Sequence, residues 1–541
     1  MISLLDCTLR EAPIENMCMG EHTSGRLLSG LSKADVDIIE CGYLKNASHI
    51  SGSTIFNTVE EISSFIGSKK SNVSYVALVD YGRYDLKYLS DNPGNSIDGI
   101  RICFKKGEQK DVISYAEEII KRGYKVFIQH VDTADYSDQE ILEFIGWINT
   151  IKPYAYSIVD TFGAMYTDDV RRIAHLVDYN LDRSIKLGFH GHNNLLMANA
   201  NAQALVSELF HKRDVIIDAS LLGCGRGAGN ANTELIASFL NSRYQTNYDL
   251  NVLLDIIDDD MPSLSKLCSW GYSMPYVISG LHSTHVFNVN YLLKKHNIKL
   301  NDLRSIIESL DGIQRKKYDY ELLDELYMNY FGERVDDSEA RFYMQGISNR
   351  SILLLAPGKT LVKERDKIES FIEKKKPFVI AINGKMDNFN EDAVFFGSCK
   401  RYDYYTETYK NATAKCIVSS NIKRESGEEE LIVDFQTIAK KGWVNYDSSA
   451  VLLIRFLLQN KCKDIYIAGM DGFSRNKSEN YFSETFVNDV LPDNLILLDK
   501  ELREMLTELR EESHMCGGKI RLVTHSHYEG VFDIFDGDED M

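Results

Sequence analysis

Short apolar runs alternate with longer amphipathic stretches over the first 225 residues. Eight runs read as strands: Ile2–Leu9, Val36–Tyr43, Ser74–Asp80, Ile100–Phe104, Lys125–Asp132, Tyr156–Thr161, Ile185–His192 and Val215–Leu222. Between them, stretches such as Asp111–Arg122 and Ser137–Ile148 carry helical spacing. Eight β/α alternations predict a closed parallel (β/α)8 TIM barrel with its active site at the strand C-termini. An open doubly wound sheet is the alternative, but it does not naturally bring the first and seventh strands together. Residues 231–345 read as a helical extension, with Asp302–Leu310 and Glu321–Tyr330 the clearest helices. A second alternation follows, with strands expected at Ile352–Leu355, Phe378–Ile382, Ala393–Phe396, Ala414–Ser419, Leu431–Phe435 and Asp464–Ala468. A helix over Ser449–Gln459 precedes the last of these. The expected organisation is therefore α/β throughout: a TIM barrel over 1–230, the helical extension over 231–345, and a separate open Rossmann-like α/β domain over 346–541.

Composition narrows the function classes. The chain has 541 residues, 44% of them hydrophobic, which supports sizeable cores and argues against disorder. Its net charge of −19 disfavours general nucleic-acid binding. The run Lys374-Lys375-Lys376 is too short to change that and reads as a solvated helix end. The ten cysteines are scattered without a Cys-x-x-Cys pair, which fits reduced thiols rather than a disulfide framework. There is no apolar run of membrane-spanning length and no signal-peptide pattern. The expectation is a soluble cytoplasmic protein with small-molecule substrates and with neither nucleic-acid nor membrane partners. The acidic end Asp536–Asp540 reads as a frayed tail.

The candidate chemistry is split between two strand ends. Asp6-Cys7-Thr8-Leu9-Arg10-Glu11 closes the first strand and His190-Gly191-His192-Asn193-Asn194 the seventh. Two histidines at i and i+2 on a strand share a face. A carboxylate and two imidazoles form a common divalent-metal set with positions left open for substrate. Arg10 beside that carboxylate adds a fixed positive charge where an oxyanion can form. Asp6, four residues before Arg10, shares its face if the strand runs that far, and is then placed to orient Arg10; a structural ion pair is the alternative.

Asp6–Glu11, Gly188–Asn193 and Gly223-Cys224-Gly225-Arg226-Gly227-Ala228-Gly229-Asn230 together resemble the motifs of the DRE-TIM metallolyase superfamily, in that family's order. This group includes hydroxymethylglutaryl-CoA lyase, homocitrate and isopropylmalate synthases and 4-hydroxy-2-oxovalerate aldolase. The resemblance covers about residues 1–310. It implies a barrel that binds a divalent cation, Mg²⁺ or Mn²⁺ in preference to Zn²⁺, through Glu11, His190 and His192, with Asn230 at or near the metal. It also implies that Arg10 stabilises an enolate. Asp160-Thr161-Phe162-Gly163-Ala164-Met165 resembles the sixth strand end of the aldolase branch, which makes Thr161 a candidate substrate contact; a helix N-cap is the alternative. Homodimerisation is the family's expectation.

The chain departs from the family after the acid, where Ala12-Pro13-Ile14-Glu15 stands and Ile14 takes the place of a basic histidine. The proton-transfer group is then sought among Glu15, His130, His282, His285 and Tyr291. Gly223–Asn230 reads either as an anion-holding backbone or as a tight turn, and Cys224 as a structural thiol.

In the C-terminal region Ala356-Pro357-Gly358-Lys359-Thr360 follows a strand but lacks the first glycine of a P-loop. Asp447-Ser448-Ser449-Ala450 opens a helix, and Ile465–Asp471 follows. These segments resemble the Rossmann-like domains of certain bacterial sialyltransferases and pterin-pyrophosphokinase-like proteins. The resemblance implies a nucleotide such as CMP, held at Gly358, Asn383, Ser448, Ser449 and Asp471; a structural domain is the alternative. The combined expectation is a metal-dependent aldolase or lyase acting next to a 2-oxo acid such as pyruvate. The domain pairing suggests a nucleotide-linked or sugar substrate in surface polysaccharide synthesis. A Claisen-type acyl-CoA synthase, and a glycosyltransferase-like nucleotide-binding protein with an inactive barrel, are the alternatives.

Overall fold

The eight apolar runs of the N-terminal region pair as parallel strands: β1 (Ile2–Asp6), β2 (Ile38–Leu44), β3 (Ser74–Asp80), β4 (Gly99–Cys103), β5 (Lys125–His130), β6 (Ala155–Asp160), β7 (Lys186–Gly191) and β8 (Val215–Ala219). Each lies beside the next, and β1 pairs with both β2 and β8, which closes the barrel. A two-residue strand, Ile55–Phe56, adds to β2 from outside. The computed structural model describes residues 1–12, 18–267, 269–295, 297–386, 389–410, 412–422, 430–487 and 492–535. The expectations for Glu15 and for Asp536–Asp540 fall outside the described residues. The chain divides into two compact units, Met1–Val286 with Arg315–Lys317, and Phe287–Gln314 with Tyr318–Met541.

Strand parity sorts the barrel into two cores. Leu4, Ile39, Ile100, Ile128, Ile158, Phe189 and Ile217 face outward and pack against the helix layer. Leu5, Ile38, Val76, Phe127, Ala155 and Ile216 face inward, with Cys7, as a small apolar plug. Two residues beyond the plug, on the same inward faces, stand Glu40, Gln129, Ser157 and Asp218, all buried. Arg101 of β4 joins them. Gly188 of β7 leaves space for this layer, because a Cβ there would lie 2.2 Å from Ser157 Oγ. The barrel interior is thus apolar below and polar above, and the polar half leads to the strand C-termini.

The first strand is shorter than its apolar run predicts. The chain leaves the sheet at Asp6 and makes one helical turn over Thr8–Glu11. Asp6 itself terminates the strand, accepting from Thr8 N at 2.8 Å and from Thr233 Oγ1 at 2.5 Å.

The second unit contains one parallel sheet of eight strands. They are β9 (Ile352–Leu355), β10 (Phe378–Ile382), β11 (Ala393–Phe396), β12 (Lys415–Ser419), β13 (Leu431–Val433), β14 (Asp464–Ala468), β15 (Lys519–Leu522) and β16 (Asp533–Ile534). The spatial order is β13-β12-β11-β10-β9-β14-β15-β16. The last two strands were not expected from the sequence, being four and two residues long. The chain winds outward from β9 to β13, then returns to place β14 on the other side of β9. That reversal is a topological switch point, where open α/β sheets bind ligands. Among the described residues no helix is long and apolar enough to cross a membrane.

At the N-terminal end of the barrel, buried Arg213 ties the approach to β7. It pairs with Asp178 at 2.8 Å and donates to the carbonyls of Leu181, Asp182 and Ile185 at 2.5–2.7 Å. Arg213→Ala leaves buried Asp178 with Arg183 at 2.8 Å and strips three carbonyls of their donor, and should cost about 3 kcal/mol. Urea unfolding followed by far-UV circular dichroism measures this; a loss under about 1 kcal/mol would show the tie to be dispensable.

Candidate metal centre

The Thr8–Glu11 turn carries Arg10 and Glu11 over the barrel mouth. Glu11, His190 and His192 bring one ligand atom each to within 4.8 Å of one another, and all three are buried. His190 Nε2 lies 3.7 Å from Glu11 Oε1. His190 closes β7, and His192 follows in the bridge it forms with Asn230. Both rings are thereby set by backbone pairing rather than by a mobile loop.

The donor chemistry fits a divalent cation. Burial works against ionisation of Glu11, but Arg10, His192, His190 and Arg226 together hold its pKa down at about 2. Burial above all keeps His192 neutral, with a pKa of about 3. His190 Nδ1 sits 3.1 Å from Asp218 Oδ2, which turns Nε2 toward Glu11. Asn230 donates Nδ2 to the Cys224 carbonyl at 2.8 Å, and among the described residues its buried Oδ1 has no hydrogen-bond partner. Gly225 lies against both Asn230 and Glu11: a Cβ there would stand 2.4 Å from Asn230 Nδ2 and 3.3 Å from Glu11 Oε2. A deprotonated carboxylate, two imidazoles and an amide oxygen are donors that Mg²⁺, Mn²⁺ or Zn²⁺ accept.

Beneath the donors lies a closed circuit of buried charge. Arg10 pairs with Glu11 and, through Nε at 2.8 Å, with Glu40. Glu40 pairs with Arg101 at 2.9 Å, and Arg101 with Asp218. Asp218 holds His190, which faces Glu11. Among the described residues Arg10 bonds through Nε and Nη1, which leaves Nη2 for a ligand. Glu40, Arg101 and Asp218 were not anticipated from sequence. Their signal was a single charge inside an apolar strand, as in Ile38-Ile39-Glu40-Cys41 and Ile216-Ile217-Asp218.

The remaining sequence candidates divide. Asp6 bonds Thr8 and Thr233, whereas Arg10 is held by Glu40 and Glu11. Its expected part in orienting Arg10 is therefore corrected: the strand ends before Leu9, so the shared face on which the expectation rested does not form. Thr161 Oγ1 accepts from Asp132 N at 2.7 Å and ties two loops together; the following helix is preceded by Tyr166 instead. His130 faces outward among Phe104, Tyr136 and Phe144, and burial lowers its pKa to about 3. That is a core histidine, not a base at the mouth. Tyr291 belongs to the second unit, where it donates to Asp324 at 2.9 Å. His285 comes near the mouth, within reach of the Arg226 charge, and burial lowers its pKa to about 4.

In the second unit, Gly358, Asn383, Ser448, Ser449 and Asp471 line one cavity of about 740 Å³ at the switch point. Asp471 accepts from Thr360 N at 2.9 Å, and Asn383 donates to Ser449 Oγ at 2.9 Å. Both polar groups thus help to build the turns around the cavity. Ser448 opens the helix Ser449–Gln459 without a side-chain cap.

Comparison with known proteins agrees with the barrel's motifs. Residues 103–259 match the HMGL-like family model. Over 204 residues the chain is 31% identical to oxaloacetate decarboxylase of Mycobacterium tuberculosis, covering 37% of this chain and 58% of the relative. It is 35% identical over 158 residues to 4-hydroxy-2-oxovalerate aldolase of Pectobacterium atrosepticum, covering 28% and 43%. The chain spans about half the length of these curated relatives. Among solved structures, the N-terminal domain of a candidate aldolase from Bacteroides vulgatus aligns at 25% identity with a TM-score of 0.48, covering 57% of this chain and all of that one. The N-terminal unit is thus a closed parallel barrel, similar over residues 103–259 to the HMGL-like family.

Partners that orient a ligating histidine typically change metal affinity about 10–100-fold. Asp218→Asn should therefore weaken Mn²⁺ binding by about that factor, read by isothermal titration calorimetry. Unchanged affinity in a folded variant would show that Asp218 does not support the donor set.

Proposed function

We propose that this protein is a divalent-metal-dependent carbon–carbon lyase or aldolase acting next to the carbonyl of a pyruvate-like 2-oxo acid. The observation that carries the reading is the convergence of Glu11, His190 and His192, with Asn230 Oδ1 left unpartnered, beside Arg10. A cation held there, when bound, supplies Lewis-acid charge toward the oxygens of an oxo acid. Arg10 contributes a guanidinium that Glu11 and Glu40 hold in place before substrate arrives.

In the cleavage direction, the 4-hydroxyl of a 4-hydroxy-2-oxo acid gives up its proton. The C3–C4 bond breaks, its electrons pass to the C2 oxygen as an enolate, and C4 departs as an aldehyde. Protonation at C3 then yields the 2-oxo acid. Arg10 Nη2 is the chain's own donor for the charge that develops on the enolate oxygen. Asp6 and Thr161 act at one remove on this reading: Asp6 ends β1, and Thr161 fixes the adjoining loop.

The test is exchange of solvent deuterium into the pyruvate methyl group, followed by NMR with Mn²⁺ or Mg²⁺. Exchange that needs the metal and disappears in His190→Ala is expected. Arg10→Ala should slow it by about 10²–10³-fold while metal still binds. Near-normal exchange in Arg10→Ala, or exchange indifferent to metal, would sink the assignment.

A nucleotide, CMP or a nucleotide-linked sugar among the choices, is our reading for the second unit. Its support is the cavity of about 740 Å³ that collects Gly358, Asn383, Ser448, Ser449 and Asp471. A helix start without a side-chain cap presents backbone N–H groups to a phosphate. Calorimetric titration with CMP should give saturable binding that Ser448→Trp blocks. Absence of heat with CMP, GMP and ATP would leave the unit a structural domain.

A further inference from the structure

Arg226 stands on the loop after β8, between two glycines that are pressed from both sides. Gly225 abuts Glu11 and Asn230, whereas Gly227 abuts Asn194, Tyr276 and Val286. The loop carrying Arg226 is therefore wedged between the donor set and the helical segment beyond it. The guanidinium is half-buried, and its charge reaches Glu11, His192, Tyr43, Lys45 and His285. Among the described residues it makes no hydrogen bond and no ion pair.

A second cation is close by. Lys45 follows β2, and its Nζ lies 4.3 Å from the centre of the Tyr43 ring. Burial lowers its pKa, Asp80 opposes this, and Arg83 and Arg226 add to it. Of the carboxylates at hand, Glu11 is committed to Arg10, and Asp80 stands 3.6 Å from Arg83. Two half-buried cations of like sign, without a carboxylate bonded to either, are costly unless an anion joins them. The chain has 80 acidic residues and 61 basic ones, so carboxylates are not scarce elsewhere.

We propose that Arg226, with Lys45 beside it, binds an anionic group on the second reacting fragment, and so selects aldehydes that carry a carboxylate or phosphate over neutral ones. This rests on the lyase reading above for its reaction, though not for its binding site. Guanidinium forks suit carboxylate and phosphate alike.

The test uses the full chain with Mn²⁺, pyruvate and three acceptors: succinic semialdehyde, glyceraldehyde 3-phosphate and butanal. One anionic acceptor should exceed butanal in kcat/KM by about 10–100-fold. Which one does so separates carboxylate from phosphate. Arg226→Ala should bring that ratio close to unity, and Arg226→Lys should keep part of it. A wild-type protein that prefers butanal, or a preference unchanged in Arg226→Ala, would overturn the proposal. Calorimetry with succinate and with inorganic phosphate separates the two readings. Binding at least about tenfold weaker in Arg226→Ala, in a protein that fails pyruvate exchange, would sink the lyase and leave the anion site standing. If neither anion binds through Arg226 and no acceptor is turned over, the anion site is overturned.

Discussion

The barrel's chemistry depends on one closed circuit of buried charge: Arg10, Glu40, Arg101, Asp218, His190 and Glu11. Each member has been taken from water at a cost that no single partner repays. Arg10, Glu40 and Arg101 each sit between two charges of opposite sign, and Glu11 and Asp218 each between a guanidinium and the His190 ring. Two guanidiniums face three carboxylates, so the set keeps a negative excess at the donor end. A divalent cation at Glu11 would meet that negative excess. The metal donors are thus preorganised by charges inside the barrel, not by loops above it.

That arrangement explains how the polar interior can coexist with a stable fold. The apolar plug of Leu5, Ile38, Val76, Phe127, Ala155 and Ile216 fills the lower half and excludes water from below. Strand parity then places the next inward position of β2 and β8 in the charge layer, as Glu40 and Asp218. A register slip of one residue would turn these carboxylates into the outer apolar core, so pairing and electrostatics specify the same register.

The sequence made the strands legible because both faces of a barrel strand are buried, which leaves nearly continuous apolar runs. Glu11, His190 and His192 were legible because they follow such runs at recognisable spacings. The roles of Glu40, Arg101 and Asp218 were not, because each looks like one polar residue in an apolar run until the inward parity is known. Asp6 illustrates the opposite error. The apolar run continues to Leu9, but the backbone turns at Thr8, and a face shared along an extended strand does not survive that turn. His130 is the last residue of β5 and His190 the last but one of β7, and parity sends His130 outward to aromatic neighbours. Strand-end position alone therefore does not separate a ligand from a core histidine; the inward or outward sense does.

The same distinction between committed and uncommitted polar groups applies outside the donor set. Asn383 and Asp471 line the second unit's cavity, but each already has a partner that shapes a turn. The barrel mouth differs. Its three inner carboxylates are spent on Arg10, Arg101 and His190, whereas among the described residues Arg226 and Lys45 stand half-buried with no bonded carboxylate. In a strongly acidic chain that imbalance is local and directional. It sets a positive rim above a negative donor set, and a substrate with an anionic end and a metal-seeking oxo acid end would match both charges in one orientation.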